Sequence, residues 1–597
     1  MTTTRLYAMA AAAMLLAGCA STTEPQQRAS APGMQAPERA TGYTEKPGWT
    51  AKKYMVAAAN PLAADAGYQV LRAGGTAVDA AIAVQMALTL VEPQSSGIGG
   101  GAFLLHFDGK TIKAFDGRET APSAAHEKLF LGPDGKALPF HDGVVGGRSV
   151  GVPGVVRMLE LAHRQYGKLP WATLFAPAIK LAEEGFRVSP RLHAMLKTEQ
   201  HLKKDPVAAA YFYDQNGNPW PAGQVLKNPE LAQALRDIAT GGADAFYQGQ
   251  LARDIEAKVK SHPTNPGLLT AADIAGYQAK VREPVCSDYK SWTVCGMPPP
   301  SSGGIAIAQM LGMLEAKDIR AFAPKEGVPS AEAVHLFSEA GRLAYADRAR
   351  YVADTDFIPL PGNSARPLLD KKYLAERAAL ITDKSMGQAK FGIPPATTLA
   401  LGEDTSPELP STSHISIVDA AGNAISMTTT IEDAFGSRQM VRGFLLNNQL
   451  TDFSFDPVDA SGAVANRLQP GKRPRSSMAP TLVFEKGTRK LLMSTGSPGG
   501  SAIINYVAKV LVGTLDWGLN VQQAINLPNF GSRNGPTELE QGRVPESLVE
   551  QLKAKGHNVR LMEQNSGLQG IMRMNIHGEE MWFGGADPRR EGVVKGD

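Results

Sequence analysis

Hydrophobic and polar positions along the chain repeat with two different periods, and the changes of period mark out its elements. From Asn60 to Pro93 the sequence NPLAADAGYQVLRAGGTAVDAAIAVQMALTLVEP places Ala and larger apolar residues at three- and four-residue spacing, broken at Gly74-Gly75. That pattern predicts two Ala-rich helices packed closely on each other or on a sheet. A Gly cluster then leads into FLLHF and TIKAF, where the period drops to two around Asp108-Gly109; this predicts a hairpin. Residues 155–260 and 325–385 return to helical spacing, as in VVRMLELAHRQYG and SAEAVHLFSEAGRLAYADRARYV. The block 393–411, IPPATTLALGEDTSPELPS, has no period and is rich in Pro, Thr and Ser, so it reads as an exposed loop or a chain end. Beyond it, HISIVD and AISMTTT predict a second hairpin, followed by strands at GFLLNNQ, TLVFEKGTRKLLMST, VRLM and GLQGIMRMNI and helices at AIINYVAKVLVGTLDWG and VPESLVEQLKAKG. Helices and antiparallel hairpins in both halves predict a layered α/β fold with antiparallel sheets, not a doubly wound parallel sheet.

The N-terminus stands apart from this pattern. Arg5 precedes an apolar run from Ala8 to Ala17, too short for a membrane span but suited to a signal peptide. The run ends in Leu16-Ala17-Gly18-Cys19, which resembles a bacterial lipobox. Residues 1–18 are therefore read as a signal peptide and Cys19 as a lipid-modified first mature residue; an ordinary secretory signal with a chance Cys is the alternative. Residues 19–48, rich in Ser, Thr, Pro, Gln and Ala, lack the apolar surface to fold and are read as a flexible tether. The implied location is the periplasm, lipid-anchored, with the outer membrane favoured because Ala20 follows the Cys; without the lipobox the protein would be secreted to the periplasm. Cys286 and Cys295, which flank two short strands around a turn, would then lie in an oxidising compartment. A disulfide between them and two separate thiols both remain open.

Composition narrows the function classes. The 597 residues carry 61 Lys and Arg against 58 Asp and Glu, a balance that argues against nucleic acid as a partner. Three cysteines exclude a disulfide scaffold and a four-cysteine metal site. There is no H-E-x-x-H, no clustered His spacing and no Walker A pattern, so neither a metal nor a cofactor is expected. Gly97-Ile98-Gly99-Gly100-Gly101-Ala102 mimics a dinucleotide fingerprint, but it follows a helix and opens a strand, the reverse of that motif, and reads as close backbone packing. Gly147-Arg148-Ser149-Val150-Gly151 mimics a nucleophile elbow, with only Val144-Val145 as a strand before it and Pro153 just after.

The strongest constellation is the junction Ser411-Thr412-Ser413-His414, where the aperiodic block meets a strand. A Thr hydroxyl is a weak nucleophile and needs a base. Cleavage before Thr412 would free an α-amino group within reach of its own Oγ, so no separate triad is required. Thr412-Ser413-His414 resembles the Thr-Thr-His signature of the γ-glutamyltranspeptidases, members of the N-terminal-nucleophile hydrolases. In the same order as in that family stand Glu92-Pro93 with Gly97-x-Gly99-Gly100-Gly101-x-Phe103, Arg118-Glu119-Thr120-Ala121-Pro122, Pro299-Pro300-Ser301-Ser302-Gly303-Gly304 and Tyr345-Ala346-Asp347-Arg348. Leu446-Asn447-Asn448-Gln449 with Asp452-Phe453, Arg473-Pro474 with Ser476-Ser477-Met478, and Thr495-Gly496-Ser497-Pro498-Gly499-Gly500-Ser501 complete the set, which spans roughly residues 50–590.

The resemblance implies an αββα sandwich cut between Ser411 and Thr412 into a large subunit (49–411 after the tether) and a small subunit (412–597) that stay together as a heterodimer. It implies that Thr412 attacks the γ-amide of glutathione or a related donor, and that water, an amino acid or a peptide resolves the γ-glutamyl ester. Thr430 matches the second Thr beside the nucleophile, and Gly499 and Gly500 the backbone donors to the oxyanion. Arg118, Ser476 and Ser477 match the partners of the substrate carboxylate, and Gln449 and Asp452 those of its ammonium. Glu432 stands where some members carry Asn, and could accept from the ammonium. Residues 454–471 are short and contain no Tyr, so a short or absent lid and a more open site are expected. Two rivals remain: a glutaryl or cephalosporin-type acylase of the same fold, and a non-catalytic envelope binding protein.

Overall fold

The computed structural model describes residues 40, 42–406 and 411–597; the predicted signal peptide, Cys19 and the first part of the predicted tether lie outside them. Two seven-stranded sheets form the centre. One runs Trp49–Ala51, Glu579–Ala586, Gln569–Ile576, Leu491–Gly496, Thr481–Glu485, Trp292–Gly296 and Val285–Tyr289; the other runs Val593–Gly596, Met55–Ala58, Ser413–Val418, Ala424–Thr430, Gly101–Phe107, Ile112–Gly117 and Lys280–Arg282. Every neighbouring pair within these two sheets is antiparallel. The two-residue period decides which way each side chain faces. Val56 and Ala58 join a core with the helices Pro61–Arg72, Ala77–Val91 and Val155–Tyr166. Met55 and Ala57 join the core that holds the other sheet and the helices Gly303–Glu315, Ala331–Tyr351 and Ile503–Leu515. The result is helices, sheet, sheet, helices: the antiparallel sheets are those the alternating pattern predicts, and the αββα order is the one the resemblance implies.

The first helix pair shows how the sequence sets these elements. Asn60 caps Pro61–Arg72 by accepting from Leu62 N at 2.9 Å, with Pro61 in the first helical position. The chain turns at Gly74, whose φ of +83° favours glycine. Thr76 and Asp79 then form a capping box for Ala77–Val91.

Between the sheets near the Thr412 end, the facing side chains are polar. Ser426 Oγ donates to Thr495 O at 2.9 Å, and Ser494 Oγ donates to Ile425 O at 2.7 Å. His414 lies in this seam, its ring nitrogens 2.9 Å from Thr428 Oγ1 and 3.1 Å from Ser416 Oγ. Gly496 makes the approach feasible, since a Cβ there would lie 2.3 Å from the His414 ring. Burial lowers His414 to about 3, His106 to about 4 and His557 to about 4, against an ordinary value of 6.5. The unfolded chain binds protons at these positions from pH 6.5 downward and the folded chain does not until about pH 4. The contribution of these histidines to stability therefore falls as pH drops through that window, by up to about 1.4 kcal/mol per unit for each fully buried histidine, while the raised Glu119 and Glu432 carboxyls act in the opposite direction. Urea melts at pH 6.5, 5.5 and 4.5 isolate one histidine: the stability of His106→Gln relative to wild type should rise as pH falls, and a constant difference would remove His106 from the account.

Several expectations change. The block 393–411 is exposed at Ile393, but Leu401, Asp404 and Ser411 are buried. Residues 43–46 do not behave as tether. Thr44 N donates to Pro588 O at 2.9 Å, Lys46 Nζ donates to Arg590 O at 2.9 Å, and the Arg543 guanidinium lies 3.9 Å from the Tyr43 ring centroid. Composition hid these anchors because they are polar. Ser149 is buried in a 3₁₀ turn and donates to Val144 O at 2.6 Å, which leaves no strand-to-helix elbow. Cys286 and Cys295 face each other across the hairpin at the sheet edge and form a disulfide.

Candidate active site

Thr412 precedes the strand Ser413–Val418, whose register pairs Ser413 with Thr429. That register sets Thr412 beside Thr430, with their Oγ1 atoms 3.5 Å apart. Thr430 Oγ1 donates to the Ser411 carbonyl at 2.7 Å and accepts from Glu432 N at 2.7 Å. Its single proton is thus aimed at the carbonyl that Thr412 would attack, and as an acceptor it faces Glu432 N and Thr412 Oγ1. Ser411 Oγ donates to Gln94 O at 2.7 Å, and Arg590 Nη1 donates to Thr412 O at 3.2 Å. The Ser411–Thr412 peptide is held on both sides. Gly100 carries the nearby backbone, since a Cβ there would lie 2.1 Å from Thr430 O; the early Gly cluster serves close packing.

Arg118, Thr412, Thr430, Glu432, Gln449, Asp452, Ser476, Ser477 and Gly500 line one cavity, together with Met478 and Ile503. Gly499 lies one residue before Gly500, at a φ of +138°, where the strand Leu491–Gly496 passes into the helix Ile503–Leu515. The start of this helix, at Gly500 and Ile503, borders the cavity that Thr412 also lines, where a helix N-terminus favours negative charge. The cavity volume is about 20 Å³, room for roughly one water. The expected open site is not found in the uncut chain. Gly402 N donates to Ala463 O at 2.9 Å and Glu403 N to Asp459 Oδ2 at 2.7 Å, so the tail before the Ser411–Thr412 bond lies on the short 454–471 segment.

Arg118 is fully buried on the strand Ile112–Gly117 side of the cavity. Its Nε donates to Pro474 O at 3.1 Å, and its Nη2 donates to Arg475 O at 2.8 Å and pairs with Asp452. Gln449 Nε2 also donates to Asp452 Oδ2, at 2.7 Å. Glu432 sits at a φ of +80° and accepts from Asn448 Nδ2. Burial, then the charges of Asp452 and Asp433, push the Glu432 carboxyl well above the usual range. Two acidic groups with one of them protonated form a pocket suited to a cation. Glu119, beside Arg118, is likewise raised by burial, to about 8. Ser477 Oγ accepts from Arg348 Nη2 at 2.6 Å, which leaves the Ser477 proton to point elsewhere. Ser302 donates through N and Oγ to Ser476 O, fixing the Ser476-Ser477 turn.

Arg348, Arg590, Asn448 and Arg475 were given no role from sequence. Arg348 belongs to a motif that sequence comparison exposed, Tyr345–Arg348 on one helix face. Arg590 had no such signal. Among the described residues, His335, Glu339 and His557 bring ligand atoms together. Hydrogen bonds account for them: His335 Nε2 faces Thr382 O at 2.7 Å, its Nδ1 faces His557 Nε2 at 2.8 Å, and His557 Nδ1 faces Thr537 Oγ1 at 2.7 Å. A carbonyl only accepts, so His335 Nε2 is the donor to Thr382 O, and these contacts occupy the ring nitrogens. Glu339 is taken by Arg342, Ser385 and Met386 N.

A family model described as gamma-glutamyltranspeptidase matches residues 63–597. The chain belongs to the γ-glutamyltranspeptidase family. It is 39% identical over 557 residues to the glutathione hydrolase proenzyme of Escherichia coli (strain K12), covering 90% of this chain and 91% of that one. The glutathione hydrolase proenzyme of Bacillus subtilis (strain 168) is 36% identical over 557 residues, covering 91% and 92%. Among solved structures, the cephalosporin acylase from Bacillus halodurans superposes with a TM-score of 0.80 at 28% identity, covering 96% of this chain and 99% of that one. The αββα architecture is therefore that of this γ-glutamyltranspeptidase and acylase group, with its antiparallel sheets between helical layers.

Proposed function

We propose that the protein is a self-processing γ-glutamyltranspeptidase and glutathione hydrolase, with Thr412 as the nucleophile. The observation that carries this reading is the Thr412–Thr430–Ser411 arrangement above the Arg118, Gln449 and Asp452 cluster. In processing, Thr412 Oγ bonds to the Ser411 carbonyl carbon while Thr430 O–H stabilises the developing oxyanion. The C–N bond then breaks as the Thr412 nitrogen takes the proton that Oγ gives up, and water hydrolyses the resulting ester. This yields subunits 49–411 and 412–597, the first preceded by the tether.

In turnover, the freed Thr412 amine accepts the Oγ proton as Oγ attacks the donor γ-carbonyl. Gly499 and Gly500 N–H groups face the oxyanion. The amine returns the proton to the leaving group, and water, an amino acid or a peptide attacks the γ-glutamyl ester. Arg118 Nη1, which makes no hydrogen bond among the described residues, meets the donor α-carboxylate with the Ser476 and Ser477 hydroxyls. Asp452, Gln449 and Glu432 hold the ammonium. No step requires a metal or cofactor. The extracytoplasmic site and the lipid anchor at Cys19 are part of this proposal; Cys19→Ala should release the protein from membranes, and unchanged membrane association would refute the anchor.

The likeness to a cephalosporin acylase supports a second reading, hydrolysis of glutaryl amides. A glutaryl group has no ammonium to set against Asp452 and Glu432. Purified protein is expected to release aniline from an L-γ-glutamyl anilide with kcat/KM at least about 100-fold above that for the matching glutaryl anilide, since the polar groups set to receive an ammonium would be left without it. The reverse preference would favour the acylase, and no turnover of either would leave a non-catalytic envelope protein.

A further inference from the structure

We propose that Arg348 is a positioning residue for the donor α-carboxylate: it fixes the Ser476-Ser477 turn and turns the Ser477 proton toward that carboxylate. The proposal rests on the activity proposed above. Arg348 is buried near the C-terminal end of the helix Ala331–Tyr351. Its Nε donates to Ser302 Oγ at 2.7 Å and its Nη2 to Ser477 Oγ at 2.6 Å. The guanidinium also lies 5.7 Å from the ring centroid of Tyr345, on the preceding helical turn.

These two bonds reach both serines of the turn. Ser477 Oγ accepts from a cation, so its single proton has to point elsewhere, and Ser477 lines the cavity with Arg118 and Thr412. A hydroxyl polarised by a buried guanidinium is a stronger donor than one that faces a neutral group. Ser302 Oγ also accepts from Arg348, and its proton goes to Ser476 O at 2.7 Å. Ser302 N donates to the same carbonyl at 2.8 Å. Ser476 Oγ accepts from Met478 N at 3.1 Å, so its proton too is turned away from the backbone that holds it.

Arg118 grips the residues just before this turn, with Nε on Pro474 O at 3.1 Å and Nη2 on Arg475 O at 2.8 Å. Residues 474–477 are thus strung between two guanidinium groups. One holds the carbonyls of 474 and 475; the other holds Ser477 directly and Ser476 through Ser302. A carboxylate that meets the Ser476 and Ser477 hydroxyls beside Arg118 sits in the field of both cations. Lysine at 348 would keep the charge but lacks the planar fork that spans Ser302 and Ser477. The turn would then shift, and a displacement of about an ångström at a positioning group weakens binding substantially. Among the described residues, the hydrogen bonds around the Ser411–Thr412 peptide do not include Arg348, so self-cleavage should be kept.

The test uses full-length wild type, Arg348→Lys, Ser477→Ala and the double variant, each allowed to process. Cleavage is read on a denaturing gel, and KM and kcat with an L-γ-glutamyl anilide. Arg348→Lys should cleave normally, with KM raised about tenfold and kcat within twofold. Because Arg348 acts through the turn that carries Ser477, the same change made in Ser477→Ala should lower kcat/KM by no more than about threefold. A KM within twofold of wild type in Arg348→Lys, or an undiminished tenfold loss on top of Ser477→Ala, would overturn the proposal. Should Arg348→Lys remain uncut, Ser302→Ala decides, since it keeps the cation and removes only the hydroxyl between Nε and Ser476 O. Its KM should rise at least about threefold with kcat kept, and an unchanged KM would overturn the proposal. An uncut, inactive wild type would instead overturn the proposed function, and the role of Arg348 with it.

Discussion

Thr412→Ala is expected to run as one uncut chain and to lose at least about 10³-fold in turnover of any γ-glutamyl donor. The geometry makes both losses follow from one atom. Thr412 Oγ1 is the hydroxyl beside Thr430 Oγ1, and Thr430 already donates to the Ser411 carbonyl at 2.7 Å. Removing Oγ1 leaves the polarised carbonyl without its attacking group, so the ester that precedes hydrolysis cannot form. It also removes the nucleophile that the freed amine would serve. Thr412→Ser retains the hydroxyl and should process, more slowly because Ser lacks the β-methyl that limits rotation about χ1. A denaturing gel over a time course, with donor turnover on the same samples, checks both. Two fragments from Thr412→Ala would place the cleavage chemistry on another residue.

Arg118→Lys should leave self-cleavage intact but lower kcat/KM for a γ-glutamyl donor by about 10²- to 10³-fold, with most of the change in KM. Arg118, which lines the cavity, uses Nε and Nη2 for Pro474 O, Arg475 O and Asp452, while its Nη1 lies 3.9 Å from Glu119 Oε2 and makes no hydrogen bond among the described residues. Lysine offers a single ammonium and cannot hold the three anchors and a substrate carboxylate together. None of the contacts around the Ser411–Thr412 peptide involves Arg118, so normal cleavage reports that the variant is folded. A KM within twofold of wild type would place the donor carboxylate elsewhere.

Much of this arrangement could be read from the residues alone, and what escaped did so for identifiable reasons. The two-residue period of HISIVD and AISMTTT located the central hairpin, because side chains on those strands must alternate between two buried faces. The Gly cluster at 97–101 was readable as close packing from its place between helix and strand. The 393–411 block, read as an exposed loop or a chain end, is exposed at Ile393 and Leu399 but buried at Leu401, Asp404 and Ser411. Its anchors, Gly402, Glu403 and Asp404, act through backbone donors and one carboxylate, which carry no periodic signature. Arg590 and Arg475 were missed because each meets the site through a backbone carbonyl, a group that any residue possesses: Arg590 donates to that of Thr412, and Arg475 offers its own to Arg118. Sequence suggested a site with little cover; in the uncut chain Gly402 and Glu403 lie on the short 454–471 segment, a contact that no local pattern signals.

The position of the Ser413–Val418 strand has a consequence for the life history of the molecule. It lies inside its sheet, paired on one side with Ala424–Thr430 and on the other with Met55–Ala58 from the opposite end of the chain. A cut immediately before it severs the covalent path through the middle of the fold without removing any of that pairing. The intact chain reaches this arrangement by a unimolecular route, whereas two separated pieces would have to find each other and interleave strands. Denatured and diluted, the cut form should therefore fail to regain activity under conditions in which the uncut Thr412→Ala chain refolds. Self-cleavage would then be a point of no return: the enzyme is assembled once, and its lifetime afterwards depends on how slowly it comes apart.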